Sequence, residues 1–335
     1  MPRIAKLIIA LAGLVLTVGA SSGTTQPTGK PVVLAFGGDV HFESNIGAEL
    51  RSGPNVVLTS IGPVLRRADI AVVNLETAVT TGGSPATKEF VFRAPASAFS
   101  ALAAGGVDVA SMANNHGMDY GETGLRDSLA AAKRYRFPVI GIGLNDAQAY
   151  RPYRATVNGQ RIAVIGATQV LDDELISAWT AGPHKPGLAS AKDVPRLVRA
   201  VKQARATADT VVVFLHWGVE LAQCPSFDQR ALARQLVAAG ADVIVGGHAH
   251  RVQGAGRMGN ALVGYGLGNF VWYGTSELST RTGVLFVTLD GRRVVAYRWE
   301  PARIVDGTPR PLSGSARRAE IASWRSLRGC TELKP

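Results

Sequence analysis

Val243-Ile244-Val245-Gly246-Gly247-His248-Ala249-His250 is a short β-branched run that stops at two glycines and delivers two histidines one residue apart. Such a run suits a buried strand, and the glycines let the chain turn sharply where it ends. The same event recurs upstream. Val211-Val212-Val213-Phe214-Leu215 runs into His216-Trp217-Gly218, and Val32-Val33-Leu34-Ala35-Phe36 runs into Gly37-Gly38-Asp39-Val40-His41. Ile70-Ala71-Val72-Val73-Asn74 leads to Leu75-Glu76, and Val107-Asp108-Val109-Ala110-Ser111 leads to Met112-Ala113-Asn114-Asn115-His116-Gly117-Met118-Asp119. Taken singly, each cluster has an ordinary reading: a turn Asp beside a surface His, a solvated Glu, an Asn-Gly turn, a hydrogen-bonded core His. Five such coincidences, each at the end of an apolar run, are hard to defend as independent. In open α/β sheets, sites form outside the carboxyl ends of the strands.

The period of the apolar residues supports that architecture. Short strands are expected at 32–36, 70–74, 107–111, 139–141, 162–167, 211–216 and 243–246. Helices are expected between them at 56–67, 124–135, 191–208 and 227–240, where apolar residues recur every three or four positions. After Gly246 the pattern becomes short strands and tight turns, including Asp290-Gly291, which reads as antiparallel. The expectation is a layered α/β domain with two packed sheets, no internal repeat, and an Arg-rich tail from about Pro309 as a weakly determined helix or loop.

Composition bounds the rest. The 335 residues are 46% apolar but only 7% aromatic, as an aliphatic, sheet-rich core would be. The net charge is +11 and the sequence pI about 10.0. Lys and Arg are scattered rather than striped, which reads as solvated faces ahead of a nucleic-acid stripe and is weak evidence for a polyanionic partner such as an acidic polymer or anionic surface. Arg3 and Lys6 precede an apolar run from Leu7 to Val18 and the small residues Gly19-Ala20-Ser21. That is signal-peptide anatomy, too short to span a bilayer, so export with cleavage near Ala20 is expected, with tethering to the outer face of the membrane as the alternative. Residues 1–20 then form the signal, 21–30 a linker, 31–305 the folded domain and 306–335 the tail. Cys224 and Cys330 lie in no metal-ligand spacing; an exported chain can pair them or leave both free.

The order Asp-x-His, acid, Asn-His, His, Gly-His-x-His resembles the calcineurin-like metallophosphoesterase superfamily. Within it, Asn74-Leu75-Glu76, the run Asn114 to Gly121, His216-Trp217-Gly218-Val219-Glu220 and Leu267-Gly268-Asn269-Phe270 look like the CapA/PgsA family of capsule and poly-γ-glutamate synthesis proteins. The resemblance extends from about Val33 to Trp272. It implies a four-layer α-β-β-α sandwich of the metallo-dependent phosphatase type and two divalent ions (Mn, Fe, Zn or Mg). By position, Asp39, His41 and His250 would hold one ion and Asn115, His216 and His248 the other, with Glu76 bridging where phosphoesterases more often have Asp. His116 would face substrate, with Asp119 fixing its tautomer. Lys88 and Arg93 are candidates for holding acidic groups of the substrate, and Asn114 and Asn269 for further substrate contact. The implied activity is extracytoplasmic, metal-dependent hydrolysis or transfer on a phosphoester or an anionic envelope polymer, alongside membrane-associated capsule synthesis proteins. The alternatives are a non-catalytic accessory protein that binds the polymer, and a general exported phosphatase.

Overall fold

The structure is a computed structural model that describes residues 30–335. The signal expected at 1–20, and the linker up to residue 29, lie outside the described residues. Two sheets carry the fold. The first runs, edge to edge, through Thr308–Pro311, Arg293–Val305, Arg281–Asp290, Val32–Val40, Ile70–Leu75, Val109–Ser111 and Val139–Ile140, with Asn269–Val271 also paired to Val32–Val40. The second runs through Ala255–Met258, Ala261–Gly264, Val243–His248, Thr210–Trp217, Gln160–Thr168 and Tyr153–Val157.

Side chains alternate along each strand, and that period of two builds the layers. Val32, Leu34, Phe36, Ile70 and Val72 of the first sheet meet Ile162, Val164, Val212, Phe214, Val243 and Val245 of the second in one buried cluster. Their sequence neighbours point the other way. Ala35, Ala71 and Val73 pack under helices Asn45–Ser52, Ser97–Ala104 and Gly121–Tyr135. Ala163, Ile165, Val211, Val213 and Ile244 pack under helices Val194–Arg205 and Phe227–Ala239. Both faces of the central strands are therefore buried, which is why they read as unbroken apolar runs. The layers are α-β-β-α, as expected. Each enclosed Val, Leu or Phe contributes roughly 1.5–3 kcal/mol of burial.

Three expectations need correction. Residues 56–67 are mostly turns with one short helix, Gly62–Leu65: Pro63 sits in its first turn, where its missing N–H costs nothing, and Gly53 ends the previous helix. The chain after Gly246 is not uniformly antiparallel: Ala261–Gly264 runs parallel to Val243–His248, and Asn269–Val271 parallel to Val32–Val40. The C-terminal segment is firmly placed. Helix Gly314–Ser326 stacks Trp324 on Trp299 at 5.7 Å, and Arg257 and Lys334 exchange backbone hydrogen bonds of 2.7 and 3.0 Å. Cys330 pairs with Cys224 across 106 residues, which decides between the two readings of the cysteines.

The central strands of each sheet run parallel to one another, so their carboxyl ends share an edge. Among the described residues, no helix is long and apolar enough to cross a membrane.

Candidate metal centre

Close backbone approach brings the strand ends together. A Cβ on Gly38 would stand 1.8 Å from the Gly268 carbonyl oxygen, and one on Gly247 would stand 2.0 Å from Asp39 Oδ1. Glycine at both positions lets Asp39 accept Asn74 Nδ2 at 2.8 Å and the His248 backbone N–H at 2.9 Å. His216 Nε2 lies 2.7 Å from Asn115 Oδ1 and 3.4 Å from Glu76 Oε1, and His250 Nδ1 lies 3.6 Å from Asp39 Oδ2. His248 and His250 have φ of 85° and 50°, a region non-glycine residues enter at a cost of order 1–3 kcal/mol. Surrounding structure sustains that strain, and it aims both imidazoles inward.

Three sets of side chains can each offer ligand atoms within 4.8 Å of one another: Asp39, Glu76 and His250; Glu76, His216 and His248; and Glu220, His248 and His250. Asp39, His41 and Glu76 are fully buried. His41 Nε2, both Glu76 carboxylate oxygens and His248 Nδ1 are buried with no hydrogen-bond partner. Leaving so many polar atoms unpaired in one place costs several kcal/mol, and a cation is the partner that would satisfy carboxylate and imidazole together.

The electrostatics agree with that chemistry. Burial, reinforced by Asp39, pushes the Glu76 carboxyl up to about 8. Burial pulls His216 down to about 3, and burial with neighbouring His116 and His250 does the same to His41. His248 is held well below its ordinary value by burial and by His216 and His250. Neutral imidazoles with a free lone pair are the metal-ligating form. His250 behaves differently, since Glu76, Asp39 and the Asn269 hydrogen bond outweigh burial and raise it. His41 is also distinct: the Glu43 N–H donates to its Nδ1 at 3.0 Å, so ligation through Nε2 requires the other tautomer and loss of that bond.

Comparison with known proteins places the chain in a family. The model of the family described as "Bacterial capsule synthesis protein PGA_cap" matches residues 33–273. The chain belongs to that family. It is 28% identical over 323 residues to the capsule biosynthesis protein CapA of Bacillus anthracis, covering 94% of this chain and 77% of that one. It is 30% identical over 266 residues to the PGA biosynthesis protein CapA of Bacillus subtilis, covering 78% and 68%. A Mycobacterium tuberculosis protein described as "Probable polyglutamine synthesis accessory protein" is 29% identical over 189 residues, 54% of this chain and 50% of that one. Among solved structures, a hypothetical protein from Thermus thermophilus shares the fold, with a TM-score of 0.52 at 20% identity over 82% of this chain and 100% of that one.

In this capsule-family chain, several of the polar residues expected to contact substrate are engaged by protein groups. Asn114 is buried, its amide donating to Asn74 Oδ1 at 3.0 Å and Leu75 O at 2.9 Å while its Oδ1 accepts the His116 N–H. Asn269 is buried too; its Oδ1 lies 2.8 Å from His250 Nδ1 and its amide donates to Ser279 O at 3.0 Å. Both are spent on positioning neighbours. The Lys88 ammonium donates to Asn115 O at 2.5 Å and Asp119 Oδ1 at 3.1 Å, so it is built into the site. Asp119 Oδ2 meets His116 Nδ1 at 2.6 Å and accepts the Phe92 N–H, also at 2.6 Å. His116 Nε2 is left facing Glu76 Oε1 at 3.9 Å, with the ring stacked on Phe92 at 4.1 Å. Arg93 is exposed over the Tyr120 ring.

Sequence reasoning missed two features. Phe92, Trp272 and Tyr273 form an aromatic wall around His41, at 4.9, 4.2 and 4.7 Å between ring centroids. Glu220 joins His248 and His250; the sequence shows it only as the end of the family-like run His216-Trp217-Gly218-Val219-Glu220, with no metal role attached.

Proposed function

We propose that this chain is an exported, two-metal hydrolase or transferase of capsule or poly-γ-glutamate synthesis, acting on a phosphoester or on an anionic envelope polymer. The observation that carries the reading is the convergence of partnerless buried atoms on His41, Glu76 and His248. Asp39, His41 and His250 would hold one divalent ion, Asn115, His216 and His248 the other. Glu76 would bridge them, since it alone is common to the two buried candidate sets. Two such ions supply a water of lowered pKa and neutralise charge growing on an attacked centre.

The protein's own groups account for the rest. Asp119 accepts from His116 Nδ1, which leaves Nε2 as the atom that gives or takes a proton at the leaving group. Lys88 neutralises Asp119, whose carboxylate is fixed between the ammonium and the Phe92 N–H. Phe92 and Trp272, both buried, would shield one side of the site from water. Export is supported by the signal-like N-terminus and by a disulfide, a bond that persists in oxidising compartments.

A polymer-binding accessory role is the second reading, favoured by the net charge of +11 and by the description of the mycobacterial relative. Metal content of the purified full chain, measured with hydrolysis of an aryl phosphodiester with and without Mn²⁺, tests the two. Two metals per chain with turnover lost in His116→Ala supports the enzyme. Substoichiometric metal and no turnover supports the accessory role.

A further inference from the structure

We propose that Glu220 is a second carboxylate of the metal centre, reaching both cation positions from the exposed side as Glu76 reaches them from the buried side; this rests on the two-metal reading above. Glu76 has neighbours in both buried sets. Glu220 belongs to one set, with His248 and His250, and each of those two histidines belongs to a different one of the sets that Glu76 joins.

The loop is held so that it presents this residue. Gly218 has φ of 100°, and a Cβ there would meet the Gln229 side chain at 2.8 Å. The Leu221 N–H donates at 2.8 Å to the carbonyl of Ala249, the residue between the two histidines. Arg251 donates to Leu221 O at 3.2 Å and to Gln223 Oε1 at 2.7 Å, and Gln253 donates to Ala222 O at 2.9 Å. Cys224 then ties the loop to Cys330. His248, a member of the same set, has a buried Nδ1 with no hydrogen-bond partner, which a cation there would satisfy.

Charge favours the assignment. Two divalent ions against Asp39 and Glu76 leave two uncompensated positive charges in a buried pocket, which is costly. Glu220 removes one. As the exposed member it is the ligand most easily displaced, so it holds the coordination positions that an anionic substrate would take.

The test uses the full chain and Mn²⁺ alone, read by calorimetric titration, metal analysis and electron paramagnetic resonance of the bound ions. Glu220→Gln keeps the size and removes the charge; its metal-free melting should match the parent, because the side chain is exposed. We expect Glu220→Gln to weaken the looser Mn²⁺ site by about 10- to 100-fold and to change the spectrum of the ion pair, with Glu220→Asp recovering part of the affinity. A Glu220→Gln isotherm and spectrum superimposable on the parent's would overturn the assignment while the two-metal reading stands. A parent chain that takes up no Mn²⁺ would remove both.

Discussion

Removing the Cys224–Cys330 bridge tests the fold and the site together. The bond closes a loop of 106 residues. In the chain-entropy treatment a loop of that length restricts the unfolded state by about 16 cal/mol/K, or about 4.8 kcal/mol at 25 °C. With an unfolding entropy of about 2.1 cal/mol/K per residue, that loss lowers Tm by about 7 °C for a domain of this size. Cys224 also lies at the end of the loop that carries Glu220, and the bond to Cys330 ties that loop to the C-terminal segment. The double variant Cys224→Ser/Cys330→Ser should therefore melt earlier and bind Mn²⁺ more weakly, and added reductant should affect the parent but not the variant. Differential scanning calorimetry and titration read both effects. Equal melting of parent and variant, with no response of the parent to reductant, would refute the reasoning.

Other substitutions separate folding from chemistry. Asp119→Asn should cost about 10²- to 10⁴-fold in turnover while leaving metal content intact, since it unsettles His116 without touching a proposed ligand; equal turnover would remove His116 as the proton-handling group. Gly247→Ala drives a methyl into Asp39 and should lose metal binding altogether, with about 1–3 kcal/mol of destabilisation in denaturant titrations. The Arg317 guanidinium holds the Glu300 carboxyl below its ordinary value, against an opposing pull from burial. Its contribution to stability is present above the unfolded carboxylate value and is lost as pH falls through the lower folded one. Glu300→Gln should flatten the acid limb of a stability-versus-pH curve; an unchanged limb contradicts that account.

The strand-end clusters were legible because each sits where an apolar run stops, a position at which Asp, Glu, Asn and His have no packing role. The doubled layers were legible for a related reason: strands buried on both faces lack polar alternation. Adjacent residues were harder. Asn114 and Asn115 are alike in sequence, and the turn after Ser111 alone decides that one braces Asn74 and the other meets His216. Lys88 reads as a solvated cation until the fold brings its ammonium onto Asp119. Glu220 lies in an exposed loop and looks like any surface acid without the backbone bond from Leu221 to Ala249. Parallel pairing of 261–264 and 269–271 depends on crossovers that a local pattern of short strands does not encode.

A pair of cations bridged by Glu76 lies at the heart of the proposed chemistry. Mn²⁺ titration of the full-length chain, followed by electron paramagnetic resonance, tests it most directly. Two ions per chain, magnetically coupled, are expected, with Glu76→Gln losing the coupling and weakening both sites. A single uncoupled ion, or two ions unaffected by Glu76→Gln, would contradict it.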